Sequence, residues 1–219
     1  MPAALPPFKL FDDLPQDIRD ILREKMVCRA YKDEEEVWQA GDAPEAVYFI
    51  LQGGACGFNL GKGGKVHVAV IWGAGGLIGH TACIVGLPRT ENMSAYGESL
   101  LGRLDRETFL DLFTRVPRLA AYLHRLMALD IRNKIRISSA RALLPAKNLV
   151  AFDLLMRQSM ASSMELDVPF QKTWAATLDI TRETLSRGLS ALAKEGIISV
   201  DGSHIEIRDL EALKAAGMF

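Results

Sequence analysis

Between Gln171 and Ile207 the spacing of apolar positions changes period, and that change defines a small domain. Leu185, Leu189, Leu192 and Ala193 fall at the i, i+4, i+7, i+8 positions of a helix packed on a small core. The pattern predicts a helix over 182–195, preceded by a tight turn at Asp179-Ile180 and a shorter helix over 171–178. Thr181 sits where its hydroxyl accepts a bond from an unpaired first-turn amide. Gly196 stops the helix. Ile197-Ile198-Ser199-Val200 and His204-Ile205-Glu206-Ile207 then alternate around Asp201-Gly202-Ser203, a β-hairpin with its turn chemistry in place. Two helices and a hairpin in this order predict a winged helix-turn-helix. Arg182, Glu183, Ser186 and Arg187 lie off the apolar face near the helix start, where a recognition helix meets base edges in the major groove.

Upstream, Leu14-Pro15-Gln16 opens an amphipathic helix to about Lys25, with Ile18, Ile21 and Leu22 inward. From Val27 to about Leu104 the pattern is of short strands broken by glycine turns. Val47 to Leu51 reads as a buried strand, Lys62-Gly63-Gly64 as a hairpin tip and Val66 to Ile71 as another strand, the signature of a sandwich or rolled barrel. Asp105-Arg106-Glu107-Thr108 starts a helix to about Thr114, and Pro117 opens a much longer one to about Leu144. Along it Leu119, Leu123, Leu126, Asn133, Ile137, Ala140 and Leu144 keep a four-three spacing interrupted by Asp130, with a second stripe, Met127-Ile131-Ile135, beside the first. Two stripes predict packing on the chain's own barrel and on a partner helix, hence a parallel dimer. Arg118, Arg125 and Arg132 form the solvated face. Pro145 marks a hinge before a helix over 147 to about 160. The expected fold is α+β: a β-roll with flanking helices over 1–116, a dimerisation helix over 117–144 and a winged helix-turn-helix over 145–219.

Composition narrows the function. With 49% hydrophobic and 24% charged residues among 219, the chain has the profile of a soluble globular protein. No apolar run approaches the ~18 residues needed to cross a bilayer, and no basic segment followed by an apolar one opens it, so a cytoplasmic protein without a membrane is expected. The net charge is −1 and the pI about 6.4, and from Ala146 onward eight Lys or Arg face ten Asp or Glu. This excludes a polycation that coats nucleic acid. Contact with DNA must rest on segregated charge, with Lys172, Arg182, Arg187 and His204 on one face. Cys28, Cys56 and Cys83 form no CxxC pair or disulfide framework and are expected as buried free thiols. No catalytic triad or metal-ligand spacing is present, so an enzyme is not expected. Gly73-Ala74-Gly75-Gly76-Leu77-Ile78-Gly79 looks like a dinucleotide loop after a strand, but Gly86 and Pro88 interrupt the helix a Rossmann unit needs. An oxidoreductase is therefore only a remote alternative.

The order of roll, long helix and winged helix-turn-helix resembles the CRP/FNR family of bacterial transcription regulators from about Leu10 to Gly217. Two segments carry the likeness. Gly41-Asp42-Ala43-Pro44-Glu45-Ala46-Val47-Tyr48-Phe49-Ile50-Leu51-Gln52-Gly53 is similar to the family's first long strand pair, and Thr181-Arg182-Glu183-Thr184-Leu185-Ser186-Arg187 to its recognition-helix core. The resemblance implies a cyclic-nucleotide-binding-like roll, a homodimer on a palindromic operator in double-stranded DNA, and RNA polymerase as a partner. Positions matching Arg182, Glu183 and Arg187 read TGTGA in the cAMP-receptor branch, and those matching Glu183, Ser186 and Arg187 read TTGAT in the FNR branch. Both sets are present here. The expected half-site is TTGTGA-like, with Arg187 bidentate on guanine, Glu183 accepting from cytosine N4, and Lys172 and Thr181 completing the contact set.

The same resemblance frames the signal. Cyclic-nucleotide binders of the family carry a Gly-Glu pair whose Glu holds the ribose, then an Arg-Ser/Thr-small triplet for the phosphate. Here Gly79 and Arg89-Thr90 remain, the ribose Glu is His80, and the small residue is Glu91. Lys134-Ile135 stands near the level of the Thr-Ser pair that contacts the base. Cyclic AMP is therefore not expected, and three scattered cysteines do not make an iron-sulfur site. In the carbon-monoxide-sensing member a His at this point ligates heme, and its Met-His-Ser-Gly-Cys-Leu-Val is similar to Gly79-His80-Thr81-Ala82-Cys83-Ile84-Val85. That member also uses its N-terminal proline, and Pro2 follows Met1 here. The resemblance thus offers heme as the cofactor, with His80 and Pro2 as axial ligands and Gly79, His80, Arg89, Thr90, His124 and Met127 lining the effector pocket. Another small effector in that pocket, or none, stands beside it, as does a small-molecule-binding module that does not act on DNA. His67 and His204 read as strand and wing histidines.

Overall fold

The computed structural model describes residues 11, 14–61, 66–161, 163–168 and 171–217; Pro2 and the hairpin tip at Lys62-Gly63-Gly64 lie outside them. The chain forms two compact units, 1–129 and 130–219, dividing inside the long helix. In the first, α1 (Gln16–Lys25) precedes β1 (Val27–Tyr31), β2 (Glu36–Trp38), β3 (Ala46–Leu60), β4 (Val66–Gly73), β5 (Leu77–Ile78), α2 (His80–Val85), β6 (Asn92–Asp105) and α3 (Arg106–Arg115). The antiparallel sheet runs β1-β6-β3-β4, with β2 on β6 and β5 on β3.

β3 and β6 are long strands rather than several short ones, because glycines bend β3 without ending it. Its register against β6 shifts between Ile50 and Gln52 and again between Gln52 and Gly54. Gly53 has φ 72°, and a Cβ there would lie 2.4 Å from the Glu98 carbonyl oxygen. Side chains then alternate between two cores. Val47 and Phe49 join Leu22, Phe109, Leu112, Leu119 and Leu123 on the helix side, while Ile50 and Ala55 join Trp38, Met93 and Leu101 inside the roll. Cys56 and Cys83 are buried as expected; Cys28 is exposed, in a strand whose side chains at 27–30 all lie open to solvent.

The long helix α4 (Pro117–Leu143) divides its apolar positions three ways. Leu119, Leu123, Leu126 and Met127 pack on the first unit's core, and Ile137 and Ala140, with Leu144 just past the helix end, on the second's. Ile131 and Ile135 remain 58% and 61% exposed. The first stripe therefore serves the chain's own cores, and only part of the second faces outward.

The second unit continues with α5 (Ala146–Ala161), β7 (Glu165–Asp167), α6 (Gln171–Leu178), α7 (Arg182–Lys194), β8 (Ile198–Asp201), β9 (His204–Ile207) and α8 (Leu210–Gly217). The sheet β7-β9-β8 extends the predicted hairpin by a strand that the sequence pattern did not reveal. Trp174 is fully buried at the centre of the core, and its indole N–H donates to Asp153 Oδ2 at 2.6 Å. Gly188 lets α7 approach α5, since a Cβ there would sit 2.9 Å from Val150 Cγ2.

Candidate nucleic-acid interface and effector pocket

Thr181 adopts extended backbone (φ −76°, ψ 156°) and caps α7. Its Oγ1 accepts from the Thr184 amide at 3.1 Å, and the two hydroxyls are 3.0 Å apart. Replacing Thr181 by Ala is expected to lower the second unit's stability by about 1 kcal/mol, read by urea denaturation, because an N-terminal amide loses its partner. Leu185, Leu189 and Leu192 turn the helix inward. Arg182, Glu183 and Arg187 are exposed, and Ser186 is half-buried. Arg187 Nη2 donates to Thr184 Oγ1 at 3.2 Å, which orients the guanidinium along the helix. The Glu183 carboxyl is held below the usual carboxylate range, first by its own backbone N–H and then by the Thr181 hydroxyl. It is ionised at neutral pH, an acceptor ready for an exocyclic amine. Lys172 is exposed in the first turn of α6. His204, by contrast, has Nδ1 3.3 Å from Asp167 Oδ1, and the outer face of its sheet sets Glu165 opposite Glu206. The wing therefore adds no uncompensated positive charge at that face.

In the first unit, Gly79, His80 and Arg89 come together. Gly79 has φ 80°, and a Cβ on it would stand 2.6 Å from Arg89 Nη1. Arg89 is 6% exposed. Its Nη1 donates to the Gly79 carbonyl at 2.8 Å, its Nη2 to the Ala46 carbonyl, and its guanidinium lies 4.3 Å from the Trp38 ring centroid. The arginine expected to hold a phosphate thus bonds the backbone. His80 is 4% exposed at the start of α2, with Nδ1 3.1 Å from the Leu77 carbonyl. Cys83 Sγ donates toward Ala46 and Pro44 carbonyl oxygens at 3.2 and 3.3 Å, which seats α2 on β3.

Thr90 and His124 do not join this group. Both are exposed. His124 lies one residue beyond Leu123, about 100° around the helix from the side that packs on the roll, and in this structure it does not face His80. Met127 is half-buried against the helix-side core. Glu91 brings its carboxyl group to the roll: a Cβ on Gly57 would be 3.1 Å from Glu91 Cδ. Burial first, then the charges of Glu91 and Glu34, push the Cys56 thiol up to about 11.

Two recesses open nearby. One of about 290 Å³ is lined by Ala43, Pro44, Glu45, Gly86 and Arg106. The other, about 350 Å³, lies among Trp38, Asp42, Glu45, Tyr48, Arg89 and Arg103. Of these, Trp38, Tyr48 and Arg103 escaped the sequence reading, because nothing in strand periodicity says which residues meet at a roll's end. Among the described residues no cluster of His, Cys, Asp or Glu is placed to hold a metal ion, and no helix is long and apolar enough to cross a membrane.

Residues 28–116 match the family model of the cyclic nucleotide-binding domain, and residues 117–216 that of the Crp-like helix-turn-helix domain. The chain is 28% identical over 207 residues to the cyclic AMP receptor protein of Thermus thermophilus, covering 94% of each. It is 25% identical over 213 residues to the anaerobic regulatory protein of Pasteurella multocida, covering 94% of this chain and 77% of that one. The solved structure of FixK2 from Bradyrhizobium japonicum shares the fold with a TM-score of 0.80 at 20% identity, covering 89% and 98% of the two chains.

Proposed function

The chain belongs to the CRP/FNR family of transcription regulators, and from that premise we propose that it works in the cytoplasm as a parallel homodimer on a palindromic operator with TTGTGA-like half-sites. It is a regulator with a sensor domain and a DNA-binding helix-turn-helix, not an enzyme. The observation that carries the operator reading is the exposed start of α7, where an ionised Glu183 and the guanidinium groups of Arg182 and Arg187 stand in the first two turns. Arg187 supplies paired donors to guanine and Glu183 an acceptor to cytosine N4. Dimerisation sets two such helices one DNA turn apart, and RNA polymerase is the partner the bound dimer engages. A mobility shift on a TTGTGA palindrome tests the reading: a dimer-sized complex that survives competitor DNA is expected, and its absence overturns it.

For the signal, the side chains favour a small effector beside Arg89 and Trp38, where the recess of about 350 Å³ is large enough for a small ligand. Two other signals fit poorly. For cAMP, the Arg89 guanidinium is bound to carbonyls and the Glu91 carboxylate opposes a phosphate. For heme, His80 is buried in the first turn of α2, lines neither recess and is not faced by His124. Adding cAMP is expected to leave the operator Kd unchanged, and reconstitution with hemin to give no stoichiometric Soret band. A Soret band lost in His80→Ala would contradict the seating of His80 described above.

A further inference from the structure

Arg141 lies in the last turn of α4, and its side chain crosses to another helix. Its Nη2 donates to the Thr177 carbonyl, near the end of α6, while its Nε is buried without a hydrogen-bond partner. The other groups closing α6 bond locally. The Thr177 hydroxyl donates to the Trp174 carbonyl at 2.6 Å, Ile180 N–H to Ala175 at 3.1 Å and Asp179 N–H to Ala176 at 3.3 Å. Asp179 itself holds φ 55°, a left-handed conformation rare outside glycine. The turn between the two helices of the motif is thus a strained corner, and the Thr177 carbonyl beside it is held by a residue 36 positions upstream.

From α4 to α7 the backbone passes Pro145, all of α5, β7 and α6. The Arg141 contact bypasses that route. The segment that carries it is firmly seated, because Ile137, Ala140 and Leu144 pack on the same core as Trp174, Leu178 and Leu185. A guanidinium at a helix C-terminus also meets the negative end of that helix's dipole, so the contact has a preferred geometry as well as a hydrogen bond.

We propose that Arg141 is a positioning residue for DNA binding: it latches the long helix to the corner of the helix-turn-helix, so that a rotation or bend of α4 reorients α7 directly. The role rests on the DNA-binding reading above. Arg141 itself touches no base or phosphate; it acts through the turn that places Arg182, Glu183 and Arg187.

The test compares the full chain with Arg141→Met, which keeps bulk and removes the donors, and Arg141→Lys, whose ammonium still donates to the Thr177 carbonyl. Operator affinity is measured across a salt series, and amide hydrogen exchange is followed at Asp179 and Ile180. The Met variant is expected to bind roughly 2- to 30-fold more weakly with an unchanged salt slope, and to exchange faster at both amides; the Lys variant should recover most of the loss. A slope shallower by about 0.9 would make Arg141 a phosphate ligand and overturn the proposal. Lowered thermal stability with unchanged affinity would overturn it in favour of a purely structural role. If the unaltered chain binds no operator, the DNA-binding reading fails, and the exchange rates still decide whether the latch holds the corner.

Discussion

The double variant Ile131→Asp, Ile135→Asp is expected to elute as a monomer and to lose at least about 100-fold in operator affinity, because binding through one half-site forfeits the effective concentration that links two. The outward face of α4 is Ala121, His124, Ala128, Ile131, Ile135, Ser138 and Ala142, all exposed, and these positions alternate by three and four. That spacing is the one a two-stranded coiled coil requires, and it supports the parallel dimer proposed above. The two isoleucines are the large apolar members of this face, at 58% and 61% exposure, and burying what remains open on each contributes about 1–2 kcal/mol per protomer. Aspartate at both positions also sets like charges against each other across the proposed dimer contact. Light scattering reads the mass and fluorescence anisotropy the affinity. A variant that remains dimeric and binds normally would place the dimer contact elsewhere.

The second large effect is at Arg187. Its exchange for Ala is expected to cost about 1–3 kcal/mol on the intact half-site and to relax discrimination at one base pair. The side chain is exposed and held by Thr184, so truncation removes the guanidinium alone and leaves the core under Leu185 and Leu189 untouched. Affinities measured on a set of single-base operator variants distinguish the roles. Loss at one position marks a base contact, whereas equal weakening on every sequence marks a phosphate contact and contradicts the assignment.

The recognition helix was legible in the sequence because every signal for it is local: the four-three spacing of leucines, Thr181 as cap and Gly196, at φ 74°, as stop. The long helix was legible in extent but not in allegiance. Periodicity placed Leu119 and Ile137 on one stripe, yet they serve different units, and only tertiary packing decides which stripe meets which surface. That is also why periodicity alone could not place His124, which is exposed on α4. The strands of the roll were read as short because glycine ordinarily ends a strand, whereas Gly53 and Gly54 bend β3 and leave it paired. The sensor pocket was the least legible part. Arg89 and Thr90 are adjacent, but one is buried and the other exposed. The orientation of Arg89 is set by Gly79 and Trp38, 10 and 51 residues away. A motif match records which residues are present; the direction of a guanidinium depends on what surrounds it.

In the proposed function, the exposed start of α7 reads a specific operator as one of a symmetric pair. This reading is tested most directly by the ratio of affinities for a TTGTGA palindrome and for a scrambled duplex of equal length, followed against salt. A ratio of about 10³ or more is expected at physiological salt, with a steep salt dependence on both duplexes. Equal affinity for the two at every salt concentration would contradict it.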